Sequence, residues 1–350
     1  MQRWQDPFYC IQPGKPEDLG ADFMEINILV GGFEEASEQT KYLQNLIYDL
    51  IIICSRYAKI ENAHVNKLLI ADKNNFANAV AKMDAGALFT NTEDYVAFGK
   101  TFAKREDDET LNTSIVLRAE VIDAVLLELE VQRQIDDWNS SAQHMLYLIC
   151  HELGHCVDYR LRKNLQHSAL ISEDNLFKVR QVADYYSCIL LSEFAACVHA
   201  ANGMTTDTFQ FDNDSTLSTV QSMISKVQSE AKAYNNDPSL LLKLAFSASG
   251  TFWLALIQYT KLFGSQVGNQ QLANCDVKYW ENANSKTFAI FTELKKFLDD
   301  LWNQYPDWNT STIQSLTELW HALSISNGFE FVESVEGDAI YWDISLFLET

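Results

Sequence analysis

The stretch Cys150-His151-Glu152-Leu153-Gly154-His155 sets two imidazoles four residues apart, with a carboxylate between them. Residues at i and i+4 lie on one face of an α-helix, one above the other. On a helix, His151 and His155 therefore offer two ring nitrogens to a single metal ion, and Glu152 sits beside it. The flanks predict that helix. Ser140 and Gln143 have the S-x-x-Q spacing of a capping box, and Met145, Leu146, Ile149, Leu153 and Val157 recur at helical spacing. One amphipathic helix is expected over about 140–163. Gly154 inside it weakens a helix by about 1 kcal/mol relative to Ala, which implies a close neighbour there, a backbone or a substrate.

Two imidazoles do not complete a catalytic zinc site, which takes three protein ligands and an open position for water. A second long helical pattern begins at a Ser172 cap, with Glu173 and Asp174 in its first turn, and ends at Asn202-Gly203. Glu193 is the only acid between Tyr185 and Ala201 on it, and its same-face neighbours Ile189, Leu190, Ala196 and Cys197 are apolar. A carboxylate buried there is costly unless paired or bound to metal. Asp184 is the competitor. It lies nine residues before Glu193, half a turn out of phase, so the two cannot reach one ion together. Glu193 is the expected third ligand, and pairing with a Lys or Arg is the alternative use for it.

His151, Glu152 and His155, followed 38 residues later by Glu193 in a Ser-Glu-Phe-Ala-Ala context, resemble the gluzincin branch of the zincin metallopeptidases. The resemblance covers about residues 110–203. The compact site and intracellular character are also similar to the ImmA/IrrE-like group of small HExxH proteins. The resemblance implies a Zn2+ cofactor on His151, His155 and Glu193, with Glu152 as general base for attack of water on a peptide carbonyl. In many gluzincins an Asp four residues after the ligand Glu supports a zinc-bound His; here that position is Cys197. Asp158, one turn beyond His155, is an alternative orienting group. For an oxyanion donor the candidates are Tyr159, Tyr185, Tyr186, His199 and His321, and no spacing rule selects among them.

At 350 residues and 47% hydrophobic, the chain can bury a large core as one large domain or two lobes. A net charge of −22 argues against nucleic-acid backbones and anionic membranes as partners; a peptide or protein substrate is the expected partner. Seven Cys, at 10, 54, 150, 156, 188, 197 and 275, form no CxxC pair. An odd number cannot all pair internally, which fits a reducing cytoplasm. Cys150 and Cys156 read as small core residues. The start, Met1 to Pro7, has no apolar h-region and reads as no secretory signal. The longest apolar stretch, Leu240 to Phe263, is broken by Lys243, Ser247, Ser249 and Gly250 and reads as a buried helix.

Three of the five prolines fall within the first 16 residues, so 1–22 is expected to be an irregular leader. A strand is predicted near 23–30, a helix over about 35–59 and a second strand at Val65 to Ala71. Residues 73–110 read as mixed, with a polar Lys104 to Thr110 loop. Ser114 to Val121 is the expected edge strand of the cleft, to which an extended peptide adds by main-chain hydrogen bonds; Ile115, Ala119, Ile122 and Leu126 thread equally well as a helix start. The expected fold is thus α+β: a zincin-like catalytic region over 23–205, and a mainly helical region over 206–350. In the second, helices near 217–234, 238–263, 286–304 and 310–326 precede a β-hairpin from Phe329. Trp253, Trp280, Trp302, Trp308 and Trp320 read as core. A soluble zinc-dependent peptidase is the leading functional expectation. Its rivals are a zincin-like regulatory or binding protein without peptidase activity, and a helical interaction protein with an accidental motif.

Overall fold

The computed structural model describes residues 25–29, 38–60, 63–83, 98–105, 111–130, 135–162, 179–233, 238–279, 285–336 and 339–346. The leader, the Ser172 cap, Trp280 and most of the polar loop after Arg105 lie outside them. The fold is α+β, with a small mixed sheet and mostly helical content. It divides into two compact units, one holding the described residues up to Met83 with 98–160 and 199–208, the other holding 161–198 and those from Phe209 onward.

The first unit is organised by β1 (Glu25–Leu29), α1 (Glu38–Tyr57), β2 (Lys67–Ala71), α2 (Phe76–Met83), β3 (Gly99–Arg105), β4 (Leu111–Arg118), α3 (Ala119–Glu130) and α4 (Ser140–Leu161). The strand order is β1-β2-β4-β3. β1, β2 and β4 run parallel, and β3 is antiparallel to β4 with Thr101 opposite Ile115 and Gly99 opposite Leu117. Leu68, Leu69, Ile70 and Ala71 of β2 are all buried, the continuous apolar run expected of a strand covered on both faces. On one face Leu69, Ala71, Val116 and Phe102 pack with Phe76, Ala79 and Val80 of α2. Period-2 alternation sends Gly99 and Thr101 to the opposite face, where they meet α4.

Three sequence expectations change here. Ser114 to Val121 is not the edge strand: β4 ends at Arg118, lies between β2 and β3, and hands over at Ala119 to α3. Among the described residues the end strands are β1 and β3, and the polar GKTFAKR run of β3 lies in the stretch read as mixed. An interior strand takes β-branched and leucine side chains on both faces, which is why β4 carried the stronger signal. The capping box is also displaced, because the Asn139 side chain accepts the Ala142 amide at 3.0 Å while Gln143 reaches the Ile135 carbonyl at 3.3 Å. Finally, α4 is less amphipathic than expected, since every residue from Ile149 to Asp158 is buried.

The second unit holds α5 (Val179–Ala200) through Val198, most of α6 (Thr206–Ala233), α7 (Pro238–Gly268), α8 (Ser285–Trp302), α9 (Thr310–Ser326) and the hairpin of β5 (Phe329–Glu336) and β6 (Ala339–Leu346). Its core is aromatic. Tyr186, Trp253 and Trp320 stack in series at 5.7 Å between successive rings, and Phe331 closes the column 4.9 Å from Trp320. Trp308 is buried and donates its indole N–H to the Leu301 carbonyl at 3.0 Å. At Gly264 of α7 an added Cβ would stand 2.7 Å from the Phe194 carbonyl oxygen and 2.8 Å from Cys197 Cβ, so glycine is what lets α7 approach α5 this closely. No helix among the described residues is long and apolar enough to cross a membrane.

Candidate metal centre

Helix α4 presents Tyr147, His151, His155 and Tyr159 at successive i, i+4 positions. Their rings form one column: Tyr147 lies 6.2 Å from His151, His151 lies 4.7 Å edge-on from His155, and Tyr159 stacks on His155 at 5.9 Å. This brings the two imidazole Nε2 atoms to 3.2 Å. Two nitrogens at about 2.0–2.1 Å from a tetrahedral ion stand about 3.3 Å apart, so the pair has the spacing that such an ion demands. At the same separation one neutral imidazole can donate to the other.

Glu193 on α5 supplies the third atom. One ligand atom each from His151, His155 and Glu193 lies within 4.8 Å of the others, and this cluster can hold a metal ion. The carboxylate also has a second neighbour: Lys261 Nζ on α7 is 3.1 Å from Glu193 Oε2. Of the two uses weighed for Glu193 from sequence, the ion pair is present, and the carboxylate also belongs to the cluster that could hold a metal ion. Asp184 is not part of the cluster, and its charge acts on Cys188 instead.

Glu152, the residue between the imidazoles, is buried on the side of α4 that faces β3. The Thr101 hydroxyl lies 2.6 Å from Glu152 Oε2 and 3.1 Å from the Glu152 carbonyl oxygen. Gly99, two residues earlier, is the closest backbone: a Cβ there would stand 2.8 Å from Glu152 Cγ and Oε1. Gly154 is buried, and among the described residues of this unit tight approaches occur at Gly99 and at Gly203, where an added Cβ would meet Cys150 Sγ at 3.0 Å.

The supporting candidates separate. Asp158 is fully buried, and its charge acts on His199, whose pKa burial lowers and Asp158 partly restores. Tyr159 stacks on the His155 imidazole. Burial raises the phenol pKa of Tyr185, and that of Tyr186 goes up to about 12 as its ring joins the tryptophan column. His321 lies against Trp320. Burial pushes the Cys156 thiol up to about 12, which suits an inert core residue. Sequence reasoning missed Tyr147, Gly99, Thr101 and Lys261. Tyr147 was available from the i, i+4 spacing, but the other three depend on which strand and which helix come to the site.

No family model, curated protein or solved structure matches this chain.

Proposed function

We propose that this chain is a zinc-dependent peptidase with a zincin-like site of the gluzincin type. The observation that carries the reading is the convergence of His151, His155 and Glu193 within 4.8 Å of one another. Two imidazoles and one carboxylate are a donor set that suits zinc, and three protein ligands leave a fourth position open, the arrangement of catalytic rather than structural sites. Zinc bound there supplies a Lewis acid and a water whose pKa falls toward about 7.

The chain's own residues do the rest. Glu152 accepts a proton from the attacking water and returns it to the leaving amine. Its burial beside β3 keeps the carboxylate out of bulk solvent, where its proton transfer would compete with water. Strand β3, at the end of the sheet order, offers main-chain groups to an extended peptide. The acidic surface repels nucleic acid and anionic membranes, leaving peptides and proteins as the substrate class.

Metal analysis and cleavage of fluorescein-labelled casein test the reading. The parent protein should hold about one zinc per chain and cleave casein, and Glu152→Gln should keep the zinc while losing at least about 100-fold in kcat. Zinc without cleavage would leave a zincin-like binding or regulatory protein; absence of zinc would remove the site itself.

A further inference from the structure

We propose that Thr101 is a positioning residue for Glu152, so that edge strand β3 sets the carboxylate which the peptidase reading assigns as general base. The proposal rests on that reading for its consequence in turnover, while the contact itself stands on geometry.

A glutamate side chain has three rotatable torsions, and aiming one oxygen at a water requires that they be fixed. Two features of β3 do this. The Thr101 hydroxyl holds a single proton, and its two acceptors are the Glu152 carboxylate at 2.6 Å and the Glu152 carbonyl at 3.1 Å. The carboxylate contact is the shorter of the two, so the proton goes to the carboxylate. The carbonyl remains a second acceptor on the same residue. Gly99 lies two residues away on the same face of β3 and leaves the space that Glu152 Cγ and Oε1 occupy. Antiparallel pairing with β4 places Gly99 opposite Leu117 and Thr101 opposite Ile115, and Leu117 Cδ2 would meet a Cβ at 99 at 2.9 Å, so a side chain at 99 is confined on both flanks.

The arrangement divides labour within the proposed site. The imidazoles sit in the ring column of α4, and the carboxylate between them is aimed from the sheet. Thr101→Val removes the hydroxyl at nearly constant volume, Thr101→Ser keeps it, and Gly99→Ala pushes on Glu152 from the other side.

Full-length parent, Thr101→Val, Thr101→Ser and Gly99→Ala are compared by zinc affinity, by casein cleavage and by calorimetric binding of acetohydroxamate to the zinc-loaded protein. Hydroxamate chelates the metal and gives its hydroxyl proton to a neighbouring carboxylate, so it reads Glu152 without turnover. Thr101→Val and Gly99→Ala should keep parental zinc affinity and KM, lose about 10- to 100-fold in kcat and bind acetohydroxamate about 10-fold more weakly. Thr101→Ser should return to within about threefold of the parent. Parental kcat and hydroxamate affinity in Thr101→Val, loss of zinc together with activity, or failure of Ser to restore would each overturn the proposal. A parent that holds zinc yet cleaves nothing sinks the peptidase reading alone, because the hydroxamate comparison still decides Thr101. A parent that holds no zinc sinks both.

Discussion

Helices α4 and α5 each bring side chains to the cluster that could hold a metal ion, and they do so in different ways. On α4 both ligands lie on one helix, within ten consecutive buried residues, and their nitrogens stand 3.2 Å apart. Local periodicity alone sets that distance, and aromatic neighbours above and below hold the rings. On α5 the single ligand, Glu193, is half-buried and shares its carboxylate with Lys261. The α4 half is therefore preorganised, and the α5 half is already paired with a cation. Preorganised ligands contribute most of the affinity, and the third adjusts it.

The largest expected effect tests that asymmetry directly. His151→Ala and His155→Ala should each weaken zinc binding by more than about 100-fold, and Glu193→Ala by about 10- to 100-fold, in competition with a chromophoric chelator. Equal losses at all three positions would break the comparison. Lys261→Met sharpens it. With the ammonium gone, Glu193 has no competing cation, and zinc affinity should rise about tenfold at low salt, with the gap narrowing as ionic strength increases. Weaker binding in that variant would mean that Lys261 supports the ligand rather than competing for the metal.

Packing gives the next test. Gly264→Ala presses a methyl against the Phe194 carbonyl and should cost about 1–3 kcal/mol in urea denaturation. Because Phe194 adjoins Glu193, this variant should lower zinc affinity too, whereas Gly203→Ala against Cys150 Sγ should cost less. The smallest effect is on pH dependence. His199 titrates lower in the folded chain because it is buried. As pH falls through about 6.5, the unfolded state takes up this proton first. Stability present above that pH is therefore lost progressively toward the lower folded value. Denaturation midpoints between pH 7.5 and 5 should fall less steeply in His199→Gln than in the parent.

Much of the helical layout was legible because hydrophobic spacing is a local property. The patterns at 238–263, 286–304 and 310–326 correspond to α7, α8 and α9, and the turn after Phe329 to the closing hairpin. The sheet was harder to read. β3 carries Lys, Thr and Arg at an edge where only one strand neighbour constrains it, so its composition does not advertise a strand. β4 looked like the strand of interest because it is the better buried of the two.

The sequence by itself determined that His151 and His155 share a helix face with Glu152 beside them, since 3.6 residues per turn needs nothing beyond the chain's own backbone. It also marked Glu193 as an acid out of place on an apolar face. Tertiary structure alone decided that Glu193 falls in one cluster with the imidazoles, that Lys261 pairs with it, and that Thr101 and Gly99 are what Glu152 meets. Those contacts join residues 38 to 68 positions apart or fall in a strand register. Such distances are set by how whole elements pack, and a spacing rule that works within one helix carries no information across them.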